Sequence, residues 1–219
     1  MKIQTGRAAA LATGVIVALS IVGCTPSEDP DAWRTATPTT TASSPTPKTE
    51  PTTPPTPTTG EQATSESEAV EQASQAVQDF YDANFVMMST PGLGADYMAG
   101  LIVPDSPAAK IVQLNAESGY RLEGAPTKWS TNAAMSTVGT IKDGTGAFAQ
   151  YGSVEVYGCG SNAATETFGP DGKPLNTPKG SSPGVWSVYF SPSEGTWLIY
   201  NFKTLVNRDG TVVEGAPQC

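Results

Sequence analysis

The chain has 219 residues, with Lys+Arg 12 against Asp+Glu 21, a net charge of −9 and no histidine. That charge opposes binding to nucleic acid or anionic head groups, which select basic patches. Without imidazole there is no Ser-His-Asp or Cys-His catalysis, no His-ligated zinc and no histidine pH switch; carboxylate chemistry and oxygen-ligated cations stay open.

The chain begins with Lys2 and Arg7, followed by an apolar stretch from Ala8 to Val22 that closes on Ile21-Val22-Gly23-Cys24. A basic start, an apolar run and a small residue before a cut are the parts of an export signal. The last four residues resemble the lipobox of bacterial lipoproteins. The resemblance implies that residues 1–23 are removed and that Cys24 carries the lipid (diacylglycerol, palmitate). The protein is then anchored on the outer face of the cytoplasmic membrane. Loss of Lys2 and Arg7 takes the net charge from −9 to −11. The competing reading is a transmembrane anchor. The stretch is shorter than the roughly 20 apolar residues that span a bilayer, and Thr13, Gly14 and Ser20 interrupt it.

Residues 24–64 are a Thr/Pro/Ser tract, including Pro51-Thr52-Thr53-Pro54-Pro55-Thr56-Pro57. It has almost nothing to bury, so it is expected to stay disordered and extended. As polyproline II it would reach on the order of 100 Å, and about a third of that as a coil. Its hydroxyls suit either O-glycosylation, as in mucin-like stalks, or a bare spacer.

Residues 65–219 are long enough for one folded domain. Ser65 and Glu68 form a capping box for a first helix, whose apolar face is Val70, Ala73, Val77, Phe80 or Tyr81, Asn84 and Met88. Thr90-Pro91-Gly92 ends it. A short helix follows over about Ala95–Leu101, and Ser106-Pro107 starts a third that stops at Gly119. Strands are expected near Trp129–Ile141 and Ala147–Tyr157, joined through Lys142-Asp143-Gly144-Thr145-Gly146. A long loop runs from Gly158 to about Pro183. Strands Val185–Ser191 and Thr196–Leu205 follow, and Val212-Val213 suggests a last edge strand.

Of the three cysteines, lipid on Cys24 leaves Cys159 and Cys219 as an even pair in an oxidising compartment. They are expected to form a disulfide; the alternative is two free thiols in a reactive or metal site.

Helices first and long antiparallel strands afterwards is an α+β order in which a curved sheet wraps the helices. Over about Glu66 to Val206 the chain resembles the NTF2-like superfamily, cone-shaped folds found in many exported lipoproteins of Gram-positive bacteria. The likeness rests on element order, on Phe80, Tyr81 and Phe85 in the first helix, and on the closing hairpin Val185–Phe190 and Thr196–Phe202. It implies a pocket between the helices and the concave sheet. Candidate pocket residues are Tyr81, Trp129, Glu155, Tyr157, Trp186 and Tyr200. Tyr81 matches by position the first-helix tyrosine of isomerases in that group. Glu155 is either a buried general base or an outward-facing strand carboxylate. The aromatics serve as core or as a ligand-facing surface.

No paired-carboxylate, metal-ligand or phosphate-loop pattern stands out, so neither cofactor nor metal is expected. The expected function is a non-catalytic cell-surface module that binds an envelope protein or a small ligand. The alternatives are a carboxylate-dependent isomerase or hydrolase using Tyr81 and Glu155, and a passive envelope component with a glycosylated stalk.

Overall fold

The computed structural model describes residues 53–56 and 60–219; Cys24, the export signal and most of the tether lie outside them. By its contacts the chain divides into Met1–Thr46 and Pro47–Cys219, and all described residues belong to the second unit. The described residues are α+β, with three helical segments and two antiparallel sheets. Among the described residues no helix is long and apolar enough to cross a membrane.

Helix α1 spans Glu66–Ser89. Ser65 caps it by accepting from the Glu68 N–H at 3.2 Å. The return arm of the expected box is displaced by one residue: the Glu68 carboxylate accepts from the Thr64 N–H at 2.8 Å and its hydroxyl at 2.7 Å. Those bonds hold the carboxyl below its ordinary range. The packed body starts before Ser65, since Ala63 is buried and the Gly60 N–H donates to the Gly195 carbonyl at 3.1 Å. A 3-10 segment, Ala95–Leu101, and helix α2, Pro107–Glu117, follow as expected, the latter capped by Ser106.

The strands are β1 Arg121–Gly124, β2 Lys128–Thr131, β3 Thr137–Lys142, β4 Phe148–Ser161, β5 Thr165–Phe168, β6 Ser181–Ser191 and β7 Thr196–Thr204. In the larger sheet β4 and β6 are central and β7 is an edge. β2 and β3 lie end to end along the other side of β4, on Gly158–Ser161 and Phe148–Glu155. The single strand expected over Trp129–Ile141 is therefore two. It breaks at a turn in which the Met135 N–H donates to both the Asn132 carbonyl and its carboxamide oxygen.

The Gly158–Pro183 region is less of a loop than its composition suggested. β4 and β6 extend into it, and β5 pairs there with β1 in a separate two-stranded sheet. Val212 makes only an isolated bridge, to Val206, in place of a last strand.

Two bulges bend the main sheet. The β3–β4 register shifts between Gly139 and Ile141, and the β6–β7 register shifts at Ser187/Val188. Helix α1 lies on the inner face and packs against both edges and the centre of the sheet. Half of its buried stripe is alanine (Ala69, Ala73, Ala76, Ala83), so its backbone can approach the core that includes Val154, Val156, Val188 and Trp197 closely. Each of those larger side chains contributes about 1.5–3 kcal/mol by leaving water.

Candidate functional site

Five rings from four elements meet on the inner face. Phe80 and Tyr81 come from α1, Trp129 from β2, Trp186 from β6 and Phe202 from β7. Trp186 is the hub. Its ring centroid lies 4.9 Å from Phe80, 5.4 Å from Tyr81 and 4.5 Å from Phe202, with Tyr81 edge-on at 86°. Tyr81 and Trp129 stack at 6.2 Å.

Glycines on the sheet make room for these rings. A Cβ on Gly158 would fall 2.8 Å from Trp129 Cζ2, one on Gly184 would fall 2.6 Å from Phe202 Cε2, and one on Gly160 would fall 3.2 Å from the Tyr81 hydroxyl. Gly158-Cys159-Gly160, which carries no nucleotide-binding pattern, thus forms the floor under Trp129 and Tyr81.

Between this cluster and α2 is a slot of about 160 Å³. Phe80, Tyr81, Trp186 and Phe202 form its apolar walls; Ile111 and Asn115 of α2 stand on the far side. The Asn115 amide donates to Asn84 Oδ1 at 3.3 Å.

Trp186 is 3% exposed and its indole N–H is buried with no hydrogen-bond partner. Burial pushes the Tyr81 phenol up to about 12, opposed in part by the neighbouring Trp186 indole N–H. The Tyr81 oxygen thus lies beside that N–H, outside good hydrogen-bond geometry. The Trp129 indole N–H is also buried without a partner; its ring borders a separate groove with Ser74, Gln78 and Thr131 on α1 and β2.

The candidate residues divide between the two faces of the sheet. Tyr81, Trp129 and Trp186 are brought together inside. Glu155 and Tyr157 alternate with the inward Val154, Val156 and Gly158, so they point to the outer face. Tyr200 is there too, stacked on Tyr189 with centroids 4.9 Å apart. Burial raises the Tyr189 phenol, helped by the charges of Glu155 and Tyr200. Glu155 and Tyr81 cannot meet one substrate across the strand that separates them.

Cys159, also on the outer face, is disulfide-bonded to Cys219 with Cα atoms 5.8 Å apart, as expected. Among the described residues no group of three or more Cys, Asp or Glu is placed to hold a metal ion.

Phe202, Ile111 and Asn115 join the site without having been singled out. Outside the slot, Gln72 and Gln78 of α1 fasten the helix to the sheet: their amide oxygens accept the Trp197 indole N–H at 2.8 Å and the Trp129 backbone N–H at 2.9 Å.

Fold and site together define an α+β helix-on-sheet domain with an aromatic slot. No protein-family model and no curated protein matches the chain. Among solved structures it is similar to the crystal structure of the intermembrane space region of the chloroplast protein ARC6. The TM-score is 0.40 and the identity 12%, over 63% of this chain and 97% of that one. A likeness at that level carries no argument about this chain.

Proposed function

We propose that the protein is a lipid-anchored module of the bacterial cell envelope that uses an NTF2-like domain to bind a small ligand without chemical turnover. The anchor is Cys24 of the lipobox-like Ile21-Val22-Gly23-Cys24, and the tract from Thr25 to about Thr59 is the stalk that carries the domain away from the membrane. The observation that carries the reading is the aromatic slot of about 160 Å³ between α1, α2 and the inner sheet face. Concave apolar sites with a few polar groups are where small molecules bind. Binding is favoured over catalysis because the slot holds no carboxylate, and the one strand carboxylate considered as a base, Glu155, lies on the opposite face.

Native mass spectrometry of the full-length protein, purified from its own host without denaturation, tests this. The expected spectrum shows lipid on Cys24, plus a second, non-covalent mass that leaves on unfolding. A bare domain in every preparation would sink the small-ligand reading and turn attention to a protein partner, to be sought by cross-linking at the cell surface. An unmodified Cys24 in a chain that still begins at Met1 would sink the anchor.

A further inference from the structure

The outer face of the main sheet carries a group of side chains that plays no part in the slot. Glu155 and Tyr157 stand on β4, and Tyr189 of β6 is stacked on Tyr200 of β7. The strand pairing fixes their relation. Glu155 lies opposite Ser187, and Ser153 lies opposite Tyr189, so Tyr189 is the diagonal neighbour of Glu155. Residues so related are about 7–8 Å apart, within reach of an aromatic side chain. The raised Tyr189 phenol agrees with this, since the Glu155 charge contributes to it. Tyr157 follows Glu155 on the same face, two residues along the strand. The carboxylate is therefore flanked by one tyrosine on β4 and by a stacked pair on β6 and β7.

Glu155 and these three tyrosines are all half-buried. Among the described residues the Glu155 carboxylate has neither an ion pair nor a hydrogen bond. Lys203 of β7 lies opposite Val185, which lies opposite Tyr157, so it is two strands away and leaves Glu155 unpaired. A partly desolvated carboxylate gains from a countercharge, and the chain does not provide one here. The net charge of −9 adds to the attraction for a cation.

The rings narrow the kind of cation. Tyrosine faces attract cations, and a guanidinium also stacks flat on them while pairing with a carboxylate through two N–H groups. The shape narrows the source. Small molecules favour concave sites, whereas an open face of strands suits another protein surface. Tyrosine and arginine are the residues that such contacts concentrate.

We propose that the outer face docks a partner protein through an arginine of that partner, whose guanidinium pairs with Glu155 and lies over the neighbouring tyrosines. The slot is on the inner face, so this contact is independent of the small-ligand reading.

Two probes test the recognition on the full-length protein: N-acetylarginine amide, and N-acetylcitrulline amide, its uncharged counterpart of similar shape. Binding is followed through the ring resonances of tyrosine-labelled protein. The arginine probe is expected to move the Tyr189 and Tyr200 rings at severalfold lower concentration than the citrulline probe. Glu155→Gln is expected to abolish that difference. Equal responses to the two probes, or unmoved rings with both, would overturn the proposal. Choline acting at lower concentration than the arginine probe would point to a small quaternary ammonium ligand and would also overturn it. The probe comparison uses the unaltered chain, so a variant that fails to fold does not affect it.

The source of the arginine is tested in the host, with a photo-reactive benzophenone side chain in place of Ser187, beside Glu155. The expected product joins this chain to a different protein at a peptide that contains arginine. A product with a second copy of this chain, a peptide without arginine, or no cross-linked protein would each overturn the proposal.

Discussion

The Gln78 side chain stands in for a neighbouring strand at Trp129. Its Oε1 accepts the Trp129 backbone N–H at 2.9 Å, and its Nε2 donates to the Thr127 carbonyl at 3.1 Å. β2 is at an edge of the sheet, where such groups would otherwise be open to pairing with another chain. A helix side chain thus closes the edge and fixes Trp129 over the glycines of β4. Gln78→Ala is expected to lower stability by about 1–3 kcal/mol, the usual cost of a buried donor left unpaired. Gln78→Glu keeps the acceptor but turns a carboxylate towards the Thr127 carbonyl and the Asp82 carboxylate, both of which the Gln78 amide donates to, so it should be at least as destabilising as Ala. Urea titration checks this: the midpoint should move with the slope unchanged. Equal midpoints for all three proteins would mean that water replaces the amide at no cost.

The inner-face glycines lead to a second prediction. A methyl on Gly158 would sit 2.3 Å from the Ser130 carbonyl oxygen, which is backbone and cannot swing away. Gly184→Ala would instead press on the edge of Phe202, whose ring can shift towards the slot. Overpacking costs about 1–3 kcal/mol, occasionally more. Gly158→Ala is expected at or above the top of that range and Gly184→Ala lower in it. Gly144→Ala is the control, since nothing lies within 4 Å of its Cβ. Thermal melts should rank the three in that order.

These features separate what the sequence could disclose from what it could not. Ser65 and the spacing of Val70, Ala73, Val77 and Phe80 are local signals, and α1 forms where they point. Gln72 and Gln78 carry no such signal. An amide on a helix reads as a solvated residue until the sheet is placed against it. The final strand misleads for a different reason. Strict alternation puts Phe202 on the same face as Tyr200 and opposite Trp197 and Ile199. The bulge absorbs Tyr200 as an extra residue, because Ser187 pairs with Asn201 while Val188 pairs with Ile199. Beyond it the parity reverses, which turns Phe202 inward and leaves Tyr200 outside. β1 and β5 escaped notice because each has four residues, and their pairing joins segments far apart in the chain.

The pH dependence of stability should show two separate limbs. At the acid end, Asp143 is held down at about 2, first by the Thr145 hydroxyl. Its other oxygen reaches the Ser193 N–H at 3.3 Å, joining the β3–β4 and β6–β7 turns. A depressed carboxyl stabilises the fold above its ordinary 3.8, and that contribution disappears as pH falls through about 2. At the alkaline end, Tyr81 is raised from 10.0 to about 12. Its contribution is complete below pH 10 and is lost as pH rises towards 12; two units correspond to on the order of 2–3 kcal/mol. Melting temperatures of wild type, Asp143→Asn and Tyr81→Phe across pH 2–12 test both limbs. Asp143→Asn should flatten the acid limb only, and Tyr81→Phe the alkaline limb only. A variant that shifted the whole curve without changing its shape would show that the group does not titrate in that window.

Cys159 and Cys219 close a loop with a sequence separation of 60. The bond crosses from the outer face of β4 to the last residue, so the segment after β7 is fastened at both ends. In the chain-entropy model a loop of that length stabilises the fold by about 4 kcal/mol, through the freedom it removes from the unfolded chain. The paired Cys159→Ser/Cys219→Ser variant should therefore melt well below wild type. The inner core contains neither cysteine, so the variant should still fold and keep the slot. Denaturation with and without reductant measures the stability difference. Thiol labelling of the unfolded, unreduced chain counts free cysteines, and none is expected from this pair. Two labelled thiols would refute the bond. An unchanged melting temperature in the double variant would instead mean that the unfolded chain is already restrained, and that the tail holds to the outer face by packing alone.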